Sequence, residues 1–291
     1  MEIFSTFAWK IFFKKLYNKF FDTDVMSSAA QVAFYFSFAF FPLLLFIVSV
    51  FGLVLESTDE LRGELYRYLA QIMPGSAYEL VRTTMDEIIE TSSGGKLTLG
   101  LLVTLWSASA GVDSLRTALN SVYQVREGRP FWKTKLQALV LTLLFIILIT
   151  IVLTAVAAGW TFVKFIVASA GFQVTSPLVL MTIHWGAIVL VMLFATAVVY
   201  SWLPCFPKFR WFWISPGAIT AILVWILFGG IFRVYLQYFN TYNKAYGSLG
   251  AVIILMLWMY ITGVALLLGG AINSVLTEMS ESEEKSKEPN G

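Results

Sequence analysis

The chain has 291 residues, of which 58% are hydrophobic, 16% aromatic and only 13% charged. Average soluble domains are about 25% charged, and several apolar runs here exceed the roughly 18 residues needed to cross a bilayer. The composition therefore indicates a polytopic, all-α membrane protein. A formal net charge of +2 is too small to argue for a nucleic-acid partner. The only cysteine, Cys205, excludes an intrachain disulfide and a thiolate zinc site, and the only histidine, His184, excludes a multi-histidine metal site. No metal or cofactor is expected.

Residues 1–24 do not form a cleavable signal peptide, because Lys10, Lys14, Lys15 and Lys19 interrupt the apolar run and no small-x-small site follows. Trp9, Phe12, Phe13, Leu16 and Phe20 share one helical face with Lys10 and Lys14 opposite, a pattern for a helix in the headgroup layer or a basic flank that fixes topology. A first membrane span covers about residues 28–55. Gln31, Tyr35, Pro42 and Ser49 lie on one face, which is expected to turn toward protein because lipid cannot satisfy an amide. Pro42 removes a backbone bond and is a candidate kink or hinge.

Residues 56–96 are the one sizeable polar segment between spans. Ser57 with Glu60, and Ser76 with Glu79, have capping-box spacing on either side of Pro74-Gly75, so a short extracytoplasmic helical hairpin is expected. Five further spans follow at about 97–123, 136–167, 178–203, 213–235 and 248–276. A charged, disordered tail is expected over 277–291. Basic residues cluster at the N-terminus, in the loop holding Arg126, Arg129, Lys133 and Lys135, and at Lys208 and Arg210. With six spans these segments share one side, which places both termini in the cytoplasm of an inner membrane.

Span 2 carries a polar face of Trp106, Ser109, Asp113, Arg116, Asn120 and Tyr123 at spacings of three and four. Asp113 and Arg116 are placed to pair. At about 1.5 Å per residue, Asp113 lies some 24 Å along from Leu97, in the inner third of the bilayer. Arg116 can then either snorkel to the inner headgroups or line a vestibule for an anionic headgroup or an ion. Span 6 is entered through Tyr246-Gly247-Ser248-Leu249-Gly250. It holds the small pair Ala265-x-x-x-Gly269, and Asn273 is placed to hydrogen-bond across that contact. Pro216-Gly217 opens span 5, and Gly217-x-x-x-Ala221 is a second small pair. Lys164 and His184 read as residues of the outer interface, and Arg233 and Lys244 flank the short outer loop between spans 5 and 6.

Particular stretches carry a family resemblance. They are Ala29-Ala30-Gln31-Val32-Ala33-Phe34-Tyr35 with Phe41-Pro42, Leu105-Trp106-Ser107-Ala108-Ser109, Ala118-Leu119-Asn120, and Arg129-Pro130-Phe131-Trp132. Leu203-Pro204, Ser215-Pro216-Gly217-Ala218, Tyr246-Gly247-Ser248-Leu249-Gly250-Ala251, Leu257-Trp258 and Leu268-Gly269-Gly270-Ala271-Ile272-Asn273 continue the series in order. Together they resemble the YihY/virulence factor BrkB family. The resemblance implies a six-span bacterial inner-membrane protein of a family linked with virulence and, for some members, with export of lipid A precursors. Gly270 departs from the family pattern, which often has an acidic residue there. The family once carried the label ribonuclease BN. This sequence argues against such chemistry, because a metal-dependent ribonuclease needs clustered His and Asp ligands. It also lacks a G-x-x-x-x-G-K loop for ATP.

The expected function is a transporter or flippase-like protein for a lipid or other anionic amphiphile, without its own ATPase and without enzymatic activity. Its route would be lined by Gln31, Tyr35, Ser109, Asp113, Arg116, Asn120, Tyr246, Ser248 and Asn273. Pro42, Pro216, Gly217, Gly247, Gly250 and Gly269 would serve as hinges or packing points. Membrane lipids with anionic headgroups are the expected partners, with a second copy or another membrane protein as a further one. The competing readings are a non-transporting assembly factor and an ion-coupled carrier in which Asp113 takes up the ion.

Overall fold

A computed structural model describes residues 9–55, 66–67, 82–83, 94–169, 171, 176–207, 214–238 and 248–287. Among the described residues the chain forms seven helices: α1 (Trp9–Asp22), α2 (Val25–Leu55), α3 (Gly94–Val122), α4 (Phe131–Ser169), α5 (Pro177–Trp202), α6 (Pro216–Tyr238) and α7 (Ser248–Lys287). Among the described residues, four stretches are long and apolar enough to cross a membrane: Phe131–Val152, Leu178–Trp202, Pro216–Tyr235 and Val252–Ser282. A shorter apolar stretch, Val25–Phe40, lies in α2.

The punctuation follows local chemistry. Asp24 and Gln124 take positive φ (53° and 54°) and end α1 and α3; at Asp24 the short polar side chain tolerates that conformation better than a branched one would. Pro177 and Pro216 start α5 and α6 at the first-turn positions where a missing N–H costs nothing. Pro42 lies within α2, which continues through it to Leu55.

Sequence neighbours pack as spatial neighbours from α3 to α7, and α2 closes the circuit by packing against both α7 and α3. The shared core contains Val25, Val32, Leu115, Leu119, Leu141, Tyr200 and Leu267, all nearly inaccessible. Outward faces are apolar: Leu190 on α5, Leu227 on α6 and Ile147 on α4 are each more than half exposed. Apolar side chains inside and outside are what a bilayer solvent requires.

Three expectations are corrected. Gln31 and Tyr35 do not turn toward protein: both are exposed on α2, whose packed face carries Ala29, Val32, Ala33 and Ser37 instead. The charged segment after residue 276 is helical to Lys287 as the end of α7. On α1, Phe12, Leu16 and Phe20 pack inward, but Trp9 and Phe13 are exposed and stack on each other with centroids 6.0 Å apart. The apolar wheel thus divides between a protein contact and an outer face. The polar segment at 56–96 lies almost wholly outside the described residues, as do Tyr246, Gly247 and Lys244; the side chains of Ser49, Lys164 and Ser248 do so as well.

Candidate functional site

The polar face of α3 meets the start of α4 and the loop joining them, residues 123–130, in a network of charged groups. Lys135, one turn into α4, is the most buried cation in it. Its Nζ donates to Asp113 Oδ2 at 3.1 Å, to Ser109 Oγ at 2.6 Å and to the Trp106 carbonyl at 3.3 Å. All three of its donors are used, and the ammonium also sits 4.6 Å from the Trp106 ring centroid. A lysine at this depth needs such a set, because an unpaired buried charge costs several kcal/mol.

Glu127 is the second hub. It accepts from Arg116 Nη1 at 2.6 Å, Asn120 Nδ2 at 3.0 Å, and the Arg129 backbone N–H, Nε and Nη2 at 3.0, 2.8 and 2.8 Å. The Arg129 guanidinium, with help from Arg116, holds this carboxyl far below the usual range. The same bond raises Arg129 in turn. Arg129 also reaches Gln137 Oε1 at 2.7 Å and the Leu203 carbonyl at 2.9 Å, while Asn120 Oδ1 accepts from Cys205 N at 2.9 Å. Gln137 Nε2 donates to the Trp202 carbonyl. Three separate bonds thus tie the end of α5 to α3, the 123–130 loop and α4.

The expected Asp113–Arg116 pair is present only at 3.5 Å. Three-residue spacing puts the two on one face, but each has a shorter bond elsewhere, Asp113 to Lys135 and Arg116 to Glu127. Among the described residues, Arg116 Nε is buried with no hydrogen-bond partner. The network holds three cations (Arg116, Arg129, Lys135) against two carboxylates (Asp113, Glu127), leaving one positive charge in excess.

A second polar point lies where α6 crosses α7. Ser215 caps α6 by accepting from Ala218 N at 3.1 Å, three residues on. Asn273 supplies the rest: its Oδ1 accepts from Gly217 N at 2.9 Å and its Nδ2 donates to Ser215 Oγ at 2.9 Å. These bonds satisfy backbone donors that a helix start leaves without partners. The two small pairs face each other at the crossing. A Cβ on Gly269 would stand 2.4 Å from the Gly217 carbonyl and 2.3 Å from the Tyr200 hydroxyl, which donates to the Leu266 carbonyl at 2.7 Å. Gly270, the departure from the family pattern, faces Leu119: a Cβ there would lie 2.9 Å from that side chain.

Among the proposed route residues, Ser109, Asp113, Arg116 and Asn120 belong to one network. Gln31 and Tyr35 lie apart from it, and Asn273 serves the α6 cap. Gly250 is buried near the start of α7, and Pro216 is the first residue of α6. Glu127 and Tyr200 were not singled out from sequence, and Lys135, expected as a cation of the basic loop, lies inside α4. The one available signal for Glu127 was an acid set between Arg126 and Arg129 in an otherwise basic loop.

Comparison with known proteins agrees with the order of these motifs. The family model described as virulence factor BrkB matches residues 16–291. The putative ribonuclease-like protein YfkH of Bacillus subtilis is 31% identical over 265 residues, covering 91% of this chain and 94% of that protein. UPF0761 membrane proteins of Xanthomonas oryzae and Xanthomonas campestris are 26% identical over 279 and 281 residues, covering 95% of this chain. The chain spans 63% of the length of those Xanthomonas proteins. No solved structure matches. By the extent of the family match and the identity to the Bacillus protein, the chain belongs to the virulence factor BrkB family of integral membrane proteins.

Proposed function

We propose that this protein moves an anionic amphiphile, a lipid or a lipid-like molecule, across the bacterial inner membrane without an ATPase or any catalytic step of its own. In this reading α2 to α7 are six spans, α1 lies in the headgroup layer and both termini are cytoplasmic. The observation that carries it is the excess positive charge of the network, with Arg116 Nε buried and unpartnered at its centre. A buried donor without a partner is uncommon enough to require an explanation. An anionic headgroup would supply both the missing acceptor and the missing charge.

Reconstitution into vesicles with a labelled anionic phospholipid tests this reading. Wild-type protein should raise the rate of lipid redistribution above protein-free vesicles. Losing a charged hydrogen bond of about 1.5–3 kcal/mol should slow Arg116→Ala by roughly ten-fold or more. Redistribution no faster than in empty vesicles would sink the proposal. Topology is tested separately: Cys205 should react with a membrane-permeant thiol reagent and resist an impermeant one in intact cells, and a cysteine placed at Ser93 should do the reverse.

A second reading has an observation of its own in favour. The bonds from Arg129, Gln137 and Asn120 to residues 202–205 make a stiff platform, as an assembly factor would need. One stoichiometric membrane partner recovered by crosslinking, with no lipid redistribution, would favour that alternative.

A further inference from the structure

An apolar cavity of about 230 Å³ lies between α2, α3, α4 and α7, walled by Phe36, Phe40, Ala108, Val112, Phe145 and Met259. Among the described residues only two hydroxyls reach it, and both are spoken for. Thr142 Oγ1 donates to the Ala138 carbonyl at 2.7 Å, and Thr262 Oγ1 donates to the Trp258 carbonyl at 3.0 Å while accepting from Trp225 Nε1 at 3.0 Å. A buried water needs two to four polar partners, so water has no place here. Close-packed interiors do not leave voids of this size without losing dispersion contacts along the whole lining. The occupant must therefore be apolar. Ile149 in its wall is 40% exposed, so one side opens on the outer face of the bundle. Under the membrane reading that face meets lipid chains.

We infer that this cavity holds one acyl chain of a bilayer phospholipid. It is about half as large again as the roughly 150 Å³ apolar cavity known to accept benzene, which suits a segment of about nine carbons. Its position also fits an amphiphile. Val112 adjoins Asp113 on α3, and Thr142 lies seven residues from Lys135 on α4, about 10 Å along the axis. A chain seated in the cavity thus brings its head toward Arg116 and Lys135. Gly111 shapes the wall: a Cβ there would stand 2.6 Å from the Phe36 ring, so glycine lets that ring lie against α3. The inference deepens the amphiphile reading and rests on it for the identity of the head, but chain occupancy is measured without any flux.

The test uses the full chain in lipid nanodiscs containing phosphatidylglycerol with a photoactivatable diazirine midway along one acyl chain. After illumination, adducts are mapped by mass spectrometry. Adducts should concentrate on residues 36–43, 108–112 and 142–149, at several times the level on lipid-facing Leu190. Ala39→Leu and Ala108→Leu add bulk to the cavity from α2 and α3 respectively; in both, cavity adducts should fall about ten-fold while those at Leu190 persist. Wild-type cavity adducts no higher than at Leu190, or undiminished in both variants, would overturn the inference. So would adducts formed only with a diazirine-bearing free fatty acid. Adducts present with no lipid redistribution would count against transport alone, and redistribution with no adducts against the cavity alone.

Discussion

Glu127→Ala is the sharpest perturbation of the charge network. It removes the acceptor of five hydrogen bonds at once. Arg129 keeps Gln137 and the Leu203 carbonyl, but Arg116 keeps only the 3.5 Å contact to Asp113. Breaking a fully buried ion pair costs about 3–5 kcal/mol, whereas an exposed pair is worth about 0–1 kcal/mol. The Arg116 and Glu127 side chains are 14% and 27% exposed, nearer the buried limit, so the expected loss is about 2–3 kcal/mol. The assay is reversible unfolding of the purified protein in detergent, combined with Arg116→Met in a double-mutant cycle. Because the alanine variant loses stability largely through the stranded guanidinium, the double variant should be more stable than the sum of the singles by about 1 kcal/mol or more. A Glu127→Ala protein within about 0.5 kcal/mol of wild type, or strictly additive variants, would refute this account of the network.

Other outcomes follow from the same geometry. The carboxyl of Glu127 is held below its ordinary value of 4.5, so its contribution is complete above that pH and is lost as pH falls further toward the depressed value; an unfolding series between about pH 7 and pH 3 should show a steeper acid decline in wild type than in Glu127→Ala. Lys135→Met strands Asp113 and should destabilise by about 2–4 kcal/mol, with partial recovery in the double variant carrying Asp113→Asn, measured by denaturant unfolding. Gly269→Ala should cost at least about 1–3 kcal/mol through the clash with Tyr200 and the Gly217 carbonyl, whereas Gly230→Ala, with open space around it, should be neutral in the same thermal melt.

The positions of the helices were legible largely from hydropathy, which marks the apolar runs of α4 to α7 plainly and the partly polar α3 less so. Periodicity also found the α3 face, since Ser109, Asp113, Arg116 and Asn120 recur at helical spacing. It could not find their partners. Glu127 and Lys135 reach that face only because the chain reverses at Gln124 and re-enters at Phe131, and a reversal direction is not encoded in spacing. The same limit explains Gln31 and Tyr35. An amide in an apolar run says that some neighbour is desirable, and the small residues Ala29 and Ala33 decided which face packed. The Ser215–Asn273 bond illustrates the opposite case. Two small-residue pairs and one asparagine sufficed to anticipate a crossing, because close backbone approach leaves few geometries open.

Lys19 of α1, itself buried, bonds Gln124 at 3.2 Å and ion-pairs with Glu278 near the end of α7. That ion pair joins residues 259 positions apart. α1 is thereby strapped to the far end of α7 and to the turn after α3 at a single ammonium. Releasing Lys19 would unfasten two remote segments together, so one side chain sets how firmly this edge of the bundle is closed.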